Sequence, residues 1–225
     1  MKLLAIDTAT EQCSVALLHD DQLIERCVPT PRGHTDLVLP MVQELLAESG
    51  LRMAELDAIA FGRGPGSFTG VRIAIGVAQG LAYALGLPVL PISDLAAVAQ
   101  RVADQLSTGE RVLVCMDARM GEIYTGVFAK AVDGLMVVME PEQLLPPDSL
   151  QVSEPRPQVG LGTGFRAYPV LRDRCAGMVI HDDALPRARE IVQLAVRDYV
   201  AGLAVPPDQA LPVYLRDQVV HVKTS

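Results

Sequence analysis

The sequence has no tryptophan, and aromatic residues make up only 4% of its 225 residues. Half of the residues are hydrophobic, so the interior has to be built from alanine, valine, leucine and isoleucine, which favours helices layered on a sheet. Positive charge is also scarce, because 19 lysine and arginine residues face 27 acidic ones and give a net charge of −8. Binding a nucleic-acid backbone needs a basic surface. A role with RNA would therefore require a partner that supplies the positive charge.

Cysteine and histidine are few and widely spaced. The four cysteines form no CxxC pair and lie in or near apolar segments, which favours buried reduced thiols over disulfides or zinc ligands. No two of the four histidines have the spacing of metal ligands. We expect no metal site and no cofactor.

Neither a secretory signal nor a membrane span is expected. The N-terminal MKLLAIDTAT reaches Asp7 too early for the apolar region of a signal peptide. Residues 73–93 carry no charge, but glycines and prolines divide them into a helix and a short strand, so they do not form one span. These features predict a cytoplasmic chain without membrane contact.

The pattern of strands and helices predicts two similar halves. LLAID, CSVALL and QLIERCV alternate as a three-stranded meander, followed by a helix from His34 to Ser49 and further α/β units. The second half repeats this order, and its Asp117 lies 110 residues after Asp7, each aspartate closing an apolar strand before a turn. We predict a duplicated α/β fold with domains 1–106 and 107–225.

Two strand–Asp–turn–strand units facing each other are typical of the two-lobed actin-like fold (ASKHA, ribonuclease H-like). In that fold each lobe offers a hairpin to nucleotide phosphates across a cleft. An aspartate at a strand end is also common in unrelated α/β proteins, where it caps the turn. The spacing alone does not decide between these interpretations.

Residues 61–70, FGRGPGSFTG, resemble a phosphate-binding loop but have the wrong spacing. No Lys-Ser or Lys-Thr follows the last glycine, as a Walker loop requires, and the Rossmann G-x-G-x-x-G pattern is absent. What remains is a turn with Ser67 or Thr69 as helix N-cap. A helix N-terminus attracts anions in general, so a nucleotide at this loop stays an alternative.

The helix that follows is apolar nearly all round. Between Val71 and Leu85 only Arg72 and Gln79 are strongly polar, whereas a surface helix normally has a polar face. Gly76 and Gly80 lie four residues apart, and small residues at this spacing let a second helix approach closely. We predict that this helix binds another protein chain, the alternative being burial under a third layer of the same chain.

The turns contain residues that could serve a nucleotide. Asp7 and Asp117 lie at corresponding turns and could hold a Mg²⁺–phosphate group, although Arg119 offers Asp117 an ion pair instead. Gly160 and Gly162, in the segment VGLGTG, allow the close approach of a ligand or of another backbone. We treat these four residues, Asp7, Asp117, Gly160 and Gly162, as a possible residual nucleotide cleft.

Segments spread over nearly the whole chain resemble the TsaB (YeaZ) family of the bacterial machinery that makes threonylcarbamoyladenosine in tRNA. They include LLAIDTATEQCSVAL, GRGPGSFTGVRIAIG, DARMGEIY, GLGTG and PVYLR. The resemblance implies the two-lobed actin-like fold and a role in tRNA modification. TsaB is similar to TsaD, which transfers threonylcarbamoyl to adenosine 37, but the metal-binding Asn-His-x-x-x-His motif of TsaD would fall on Ser93, Asp94 and Val98 here, so both histidines are missing.

The resemblance therefore implies a non-catalytic subunit without a catalytic residue or a cofactor. It implies pairing with a TsaD-like catalytic subunit, self-pairing of the chain when alone, recruitment of a TsaE-like ATPase, and contact with tRNA only through the complex. Pairing in this family uses the two helices of the N-terminal lobe. Here the corresponding interface residues are Leu37, Met41, Leu45, Phe68, Arg72, Ile75, Gly76, Gln79, Gly80 and Tyr83. The competing hypothesis is an enzyme in its own right, either a nucleotide-dependent transferase or a peptidase.

Overall fold

The computed structural model describes residues 1–216 and contains two five-stranded mixed sheets. The strands of the first sheet are β1 (Lys2–Asp7), β2 (Gln12–His19), β3 (Gln22–Pro29), β4 (Ala58–Gly62) and β5 (Val89–Ile92). Those of the second sheet are β6 (Arg111–Arg119), β7 (Glu122–Lys130), β8 (Met136–Leu145), β9 (Val159–Leu161) and β10 (Val179–His181). The helices are α1 (His34–Ser49), α2 (Phe68–Leu85), α3 (Asp94–Gln100), α4 (Gly164–Ala167), α5 (Val170–Arg174) and α6 (Ala188–Val200).

The two sheets have the same topology. The first has the order β3-β2-β1-β4-β5 and the second the equivalent order β8-β7-β6-β9-β10. In each, the first three strands form an antiparallel meander, and the fourth and fifth strands run parallel to the first. The predicted duplication and the two-lobed actin-like fold are confirmed.

Helices cover both faces of each sheet, and each lobe contributes its last helix to the other lobe. Helices α1 and α2 pack on the outer face of the first sheet, and α4 and α5 contact the second. Between the sheets, α6 packs on the first sheet and α3 packs on the second. The division of the chain at residue 107 stays a prediction. Helix α3, before that position, completes the core of the second lobe, and helix α6, after it, completes the core of the first. Residues 217–225 of the predicted second domain lie outside the described part of the chain.

The glycine-rich turn between β4 and α2 lies against the turn that follows β1. A Cβ atom at Gly70 would lie 2.0 Å from the carbonyl oxygen of Thr8, and one at Gly66 would lie 2.8 Å from that of Ala9. The Thr8 hydroxyl donates to the carbonyl oxygen of Gly70 at 2.7 Å. Two of the glycines in residues 61–70 thus permit close packing of backbone on backbone.

Helix α2 has well-defined ends. Ser67 is its N-cap, with its hydroxyl oxygen accepting from the Gly70 amide at 3.4 Å, and Gly86 ends it in the left-handed conformation at φ 66°. Of the two predicted caps, the structure selects Ser67 over Thr69. The same left-handed ending occurs at Gly50, after α1.

Candidate functional site

Helix α2 has one buried face and one exposed face. The buried residues are Gly70, Val71, Ala74, Ile75, Ala78 and Ala82, which pack in the core between α1, α2 and the first sheet. The opposite side, here called the α2 outer face, consists of Phe68, Arg72, Gly76, Gly80 and Tyr83, all exposed to solvent. No third layer from residues 1–216 covers this face.

The α2 outer face combines bare backbone with large exposed side chains. A Cβ atom at Gly76 or Gly80 would meet no atom of residues 1–216 within 4 Å. Tyr83 is 84% exposed and Phe68 52% exposed, so both rings present surface that a partner could contact. A neighbouring helix could therefore approach the backbone closely along the glycines and contact aromatic rings at both ends.

Three of the predicted interface residues belong to the interior instead. Met41 is 5%, Leu45 0% and Ile75 5% exposed, and all three contribute to the core beneath α1 and α2. Leu37 is half-buried against the same core. The prediction assigned these apolar residues to a partner, but the chain's own first sheet already covers them. An apolar residue on a helix does not by itself indicate which neighbour buries it.

Gln79, another predicted interface residue, binds the C-terminal part of the chain. Its side-chain amide donates to the carbonyl oxygens of Pro207 and Ala210, both at 3.1 Å. This polar side chain is half-buried and satisfied within the chain.

Sequence reasoning missed Tyr214, which lies beside the start of α2. Its ring stacks on that of Phe68 with the centroids 6.1 Å apart. The guanidinium carbon of Arg72 lies 3.2 Å from the Phe68 ring centroid and 5.0 Å from that of Tyr214. Tyr214 falls in the PVYLR segment that carried the family resemblance, but no local pattern linked that segment to α2.

A cleft of about 640 Å³ separates the two lobes. The first lobe lines it with residues 9–11 and 65–68, and the second with residues 116–120 and Thr163. Residues 213–216 lie along the same cleft. This is the position where the prediction placed a residual nucleotide site.

Of the four residues predicted for that site, only Asp117 lines the cleft. Its carboxylate forms an ion pair with Arg119 at 2.9 Å and accepts from the Tyr168 hydroxyl at 3.0 Å. The alternative of an ion pair with Arg119 is therefore confirmed. Both carboxylate oxygens already have partners within the chain.

Gly160 and Gly162 serve internal packing and do not line the cleft, which corrects the prediction. A Cβ atom at Gly160 would lie 2.8 Å from the Phe165 ring, and one at Gly162 would lie 2.5 Å from the carbonyl oxygen of Cys115. Gly162 also has a φ of +111°. Close approach of another backbone, rather than of a ligand, accounts for these glycines.

Asp7 lies beneath the cleft floor, fully buried, and faces a second buried carboxyl group. One Asp7 oxygen accepts from the Ala9 amide at 2.8 Å, and Asp94 accepts from the Gly64 amide. The second oxygen of each carboxyl group, Asp7 Oδ2 and Asp94 Oδ1, is buried and has no hydrogen-bond donor among residues 1–216. Two buried carboxyl groups in contact avoid like-charge repulsion by sharing a proton.

The pKa values of this pair agree with a shared proton. Burial raises the pKa of Asp7 to about 6, while hydrogen bonds from the Ala9 amide and from Asp94 lower it. Burial raises the pKa of Asp94 well above its ordinary value, and the charge of Asp7 raises it further. Asp7 is therefore not placed to contact a ligand in the cleft. From the sequence, its partner Asp94 was identified only as a position where TsaD has a metal-binding histidine.

Residues 1–216 contain no group of three histidine, cysteine or carboxylate side chains placed to hold a metal ion. Helix α2 is long and apolar enough, by length and composition alone, to cross a membrane. Its buried face packs on the first sheet, as in many core helices.

Comparison with known proteins assigns this architecture to a class. Residues 28–155 match the family model of TsaD, tRNA N6-adenosine threonylcarbamoyltransferase. Two solved structures from Pseudomonas aeruginosa superpose over nearly the whole chain. One is described as an uncharacterized protein with similarity to peptidase YeaZ (45% identity, TM-score 0.88, 96% of this chain and 99% of that one). The other is described as YeaZ (44% identity, TM-score 0.85, 95% and 99%). The chain is thus an actin-like two-lobed protein related to TsaD.

Full-length relatives define the family within that class. The TsaB protein of Escherichia coli, named for tRNA threonylcarbamoyladenosine biosynthesis, is 42% identical over 99% of this chain and 98% of its own length. That of Haemophilus influenzae is 39% identical over 99% and 97%. The chain belongs to the TsaB family of tRNA threonylcarbamoyladenosine biosynthesis proteins.

Proposed function

We propose that this chain is a non-catalytic scaffold and activating subunit of the complex that attaches threonylcarbamoyl to N6 of adenosine 37 in tRNA. It pairs with a TsaD-like catalytic subunit, the pair recruits a TsaE-like ATPase, and the chain pairs with itself when alone. It contacts tRNA only through the complex, in the cytoplasm. The net charge of −8 supports indirect contact, because a lone acidic chain has little attraction for phosphates.

The observation that carries the proposal is the pair of exposed glycines on the α2 outer face. A glycine inside a helix is roughly 0.5–1 kcal/mol less favourable than alanine, so an isolated surface helix has no local reason to contain two. Among residues 1–216, no neighbour lies close enough to Gly76 or Gly80 to require a missing side chain there. A partner helix explains both, because the missing Cβ atoms allow the two backbones to approach.

The state of the cleft supports a non-catalytic role. Asp117 is paired with Arg119, and Asp7 is buried with Asp94. The residues that looked most suited to a Mg²⁺–phosphate group are thus engaged within the chain. Residues 213–216 add further side chains to the cleft wall.

The test is a charge placed on the α2 outer face. Gly80→Arg would bury an unpaired cation at the proposed interface, which costs about 3–5 kcal/mol, a hundredfold or more in Kd. We expect loss of co-elution with the TsaD-like subunit in gel filtration and loss of reconstituted tRNA modification. The isolated variant should melt at or above the wild-type temperature, since space is open at this position.

The matched control is Val200→Arg, which adds the same charge at an exposed position of α6 on the other face of the first sheet. It should pair normally. Unchanged co-elution of Gly80→Arg would contradict the proposal. The alternative of a nucleotide-dependent transferase acting alone predicts instead micromolar binding of ATP and Mg²⁺ by the isolated chain in calorimetry.

A further inference from the structure

The α2 outer face is extended by residues from the far end of the chain. Residues 207–216, here called the C-terminal segment, run beside α2 and are held by Gln79 through two carbonyl oxygens. Further along, the Val213 amide donates to the carbonyl oxygen of Arg63 at 2.8 Å. The segment is thus attached to the first lobe on both sides of the start of α2.

The end of the segment crosses the cleft to the second lobe. The guanidinium of Arg216 forms an ion pair with Glu122 at 2.6 Å and donates to the Ala118 carbonyl oxygen at 3.1 Å. Both acceptors belong to the hairpin of β6 and β7. Because the Arg216 side chain is only 18% exposed, this contact is shielded from solvent more than an ordinary surface ion pair. Tyr214 lies between the two points of attachment.

Tyr214 completes a cation–aromatic cluster with Phe68 and Arg72. The two rings are 47% and 52% exposed, so the cluster is open to solvent. Arg72 donates to the Phe68 carbonyl oxygen at 3.3 Å and forms no ion pair within residues 1–216. A guanidinium stacked on aromatic rings keeps its planar donors in a fixed arrangement, suited to a carboxylate.

This cluster lies in the same row as the exposed glycines. Phe68, Arg72, Gly76 and Gly80 follow one another at intervals of four residues, which places them along one side of α2. A helix lying against the glycines would therefore have its own side chains opposite Arg72. Arginine and aromatic residues are also the types that most often dominate the binding energy of interfaces.

We propose that Phe68, Arg72 and Tyr214 form an anchor that binds a carboxylate side chain on a helix of the TsaD-like subunit. We further propose that Arg216 acts as a positioning residue that holds Tyr214 in this anchor. The inference rests on the proposed function, since it names how the same surface selects its partner. It also makes the C-terminal segment part of the interface through Tyr214, and gives the β6–β7 hairpin of the second lobe a supporting role through its contact with Arg216.

The experiment measures Kd for the TsaD-like subunit of the same organism by calorimetry. Arg72→Gln and Tyr214→Ala should each raise Kd about tenfold. The effect of Arg72→Gln should shrink at high salt, because screening weakens the charge pair in the wild type. Arg72→Lys keeps the charge but loses the planar fork, so it should recover only part of the affinity. Tyr214→Phe keeps the ring and should recover most of it.

Arg216→Gln tests the positioning role, with Arg166→Gln as its matched control. Both arginines line the same cleft, but only Arg216 holds the C-terminal segment. We expect Arg216→Gln to weaken binding severalfold and to increase hydrogen exchange at residues 211–214, whereas Arg166→Gln should do neither. Equal behaviour of the two variants would overturn the role of Arg216.

The outcomes separate this inference from the proposed function. If Gly80→Arg abolishes pairing while Arg72→Gln and Tyr214→Ala stay within about twofold of wild type, the anchor is wrong and the scaffold role stands. If Gly80→Arg also has no effect, both fail. Sedimentation velocity of the chain alone measures self-association and so tests whether a second copy is the true partner of the anchor. If these variants weaken self-association but not binding of the TsaD-like subunit, the anchor serves a second copy and the proposed partner is wrong.

Discussion

Replacing both Gly76 and Gly80 with alanine should stabilise the isolated chain and weaken its pairing at the same time. Both residues lie inside α2 with no positive φ, and within the described part of the chain an added methyl group meets no atom within 4 Å. Alanine can therefore be accommodated without strain. Its advantage is the smaller backbone entropy lost when the helix forms.

The magnitude follows from helix propensity. Each substitution should add about 0.8–1 kcal/mol to the free energy of unfolding. The two methyl groups disturb no shared neighbour, so the effects should add to about 1.5–2 kcal/mol. For a chain of this size each kcal/mol raises Tm by about 2–4 °C, so the double variant should melt roughly 3–8 °C higher.

Pairing should change in the opposite direction. If a partner helix lies close to the α2 backbone, two methyl groups overfill the contact, which typically costs about 1–3 kcal/mol. The Kd for the TsaD-like subunit should then rise by about 5- to 150-fold. An increase in stability combined with a loss of affinity is hard to obtain from any general defect in folding.

The assay combines thermal melting followed by circular dichroism with calorimetric titration of the TsaD-like subunit. Melting has to be done at a concentration where sedimentation velocity shows a single chain, since self-pairing would add its own stabilisation. Val200→Ala, at an exposed position of α6, raises helix propensity elsewhere and should leave Kd unchanged. An unchanged Kd for the double variant would refute close packing of a partner helix on Gly76 and Gly80. A lower Tm would refute the conclusion that there is room for a methyl group at these two positions.

Two further predictions concern the interior. Unfolded carboxyl groups lose their protons near pH 4, whereas burial raises the pKa of Asp7 to about 6 and that of Asp94 well above its ordinary value. The pair with Asp94 therefore lowers stability as pH rises through that window. In urea unfolding at pH 4 to 7, the stability of Asp94→Asn relative to wild type should increase with pH, and a flat difference would contradict the shared proton. Gly162→Ala, with φ +111° and a Cβ atom 2.5 Å from a carbonyl oxygen, should lose at least about 3 kcal/mol. Gly134→Ala, with φ +84° and open space, should lose only about 1 kcal/mol; equal losses would refute the clash.

Much of the architecture could be predicted because its signals are local. Alternation of apolar and polar residues indicated the strands of the first meander, and glycines indicated where helices end. Helix α1 begins and ends at the predicted His34 and Ser49. The offset between Asp7 and Asp117 predicted the duplication, which the equivalent strand orders confirm. The glycine row of α2 was equally visible, because a period of 3.6 residues assigns positions to one side of a helix.

Which element packs against each face of a helix was harder to predict from the sequence. The prediction placed Met41, Leu45 and Ile75 at an interface, yet they lie in the core. Periodicity identifies an apolar face but does not distinguish the chain's own sheet from another protein. The contacts of Gly160 and Gly162 depended in the same way on which strand or side chain came close.

The sequence by itself determined the two-fold repeat, the bounds of α1, the family and the small-residue row of α2, since each depends on neighbouring residues or on motifs with fixed spacing. The tertiary structure alone decided that α3 and α6 each cover the opposite sheet and that Asp7 shares its burial with Asp94. It also decided that Tyr214 stacks on Phe68, a residue 146 positions earlier. Such contacts arise only when the packing of whole elements brings distant parts of the chain together, and no local period encodes that packing.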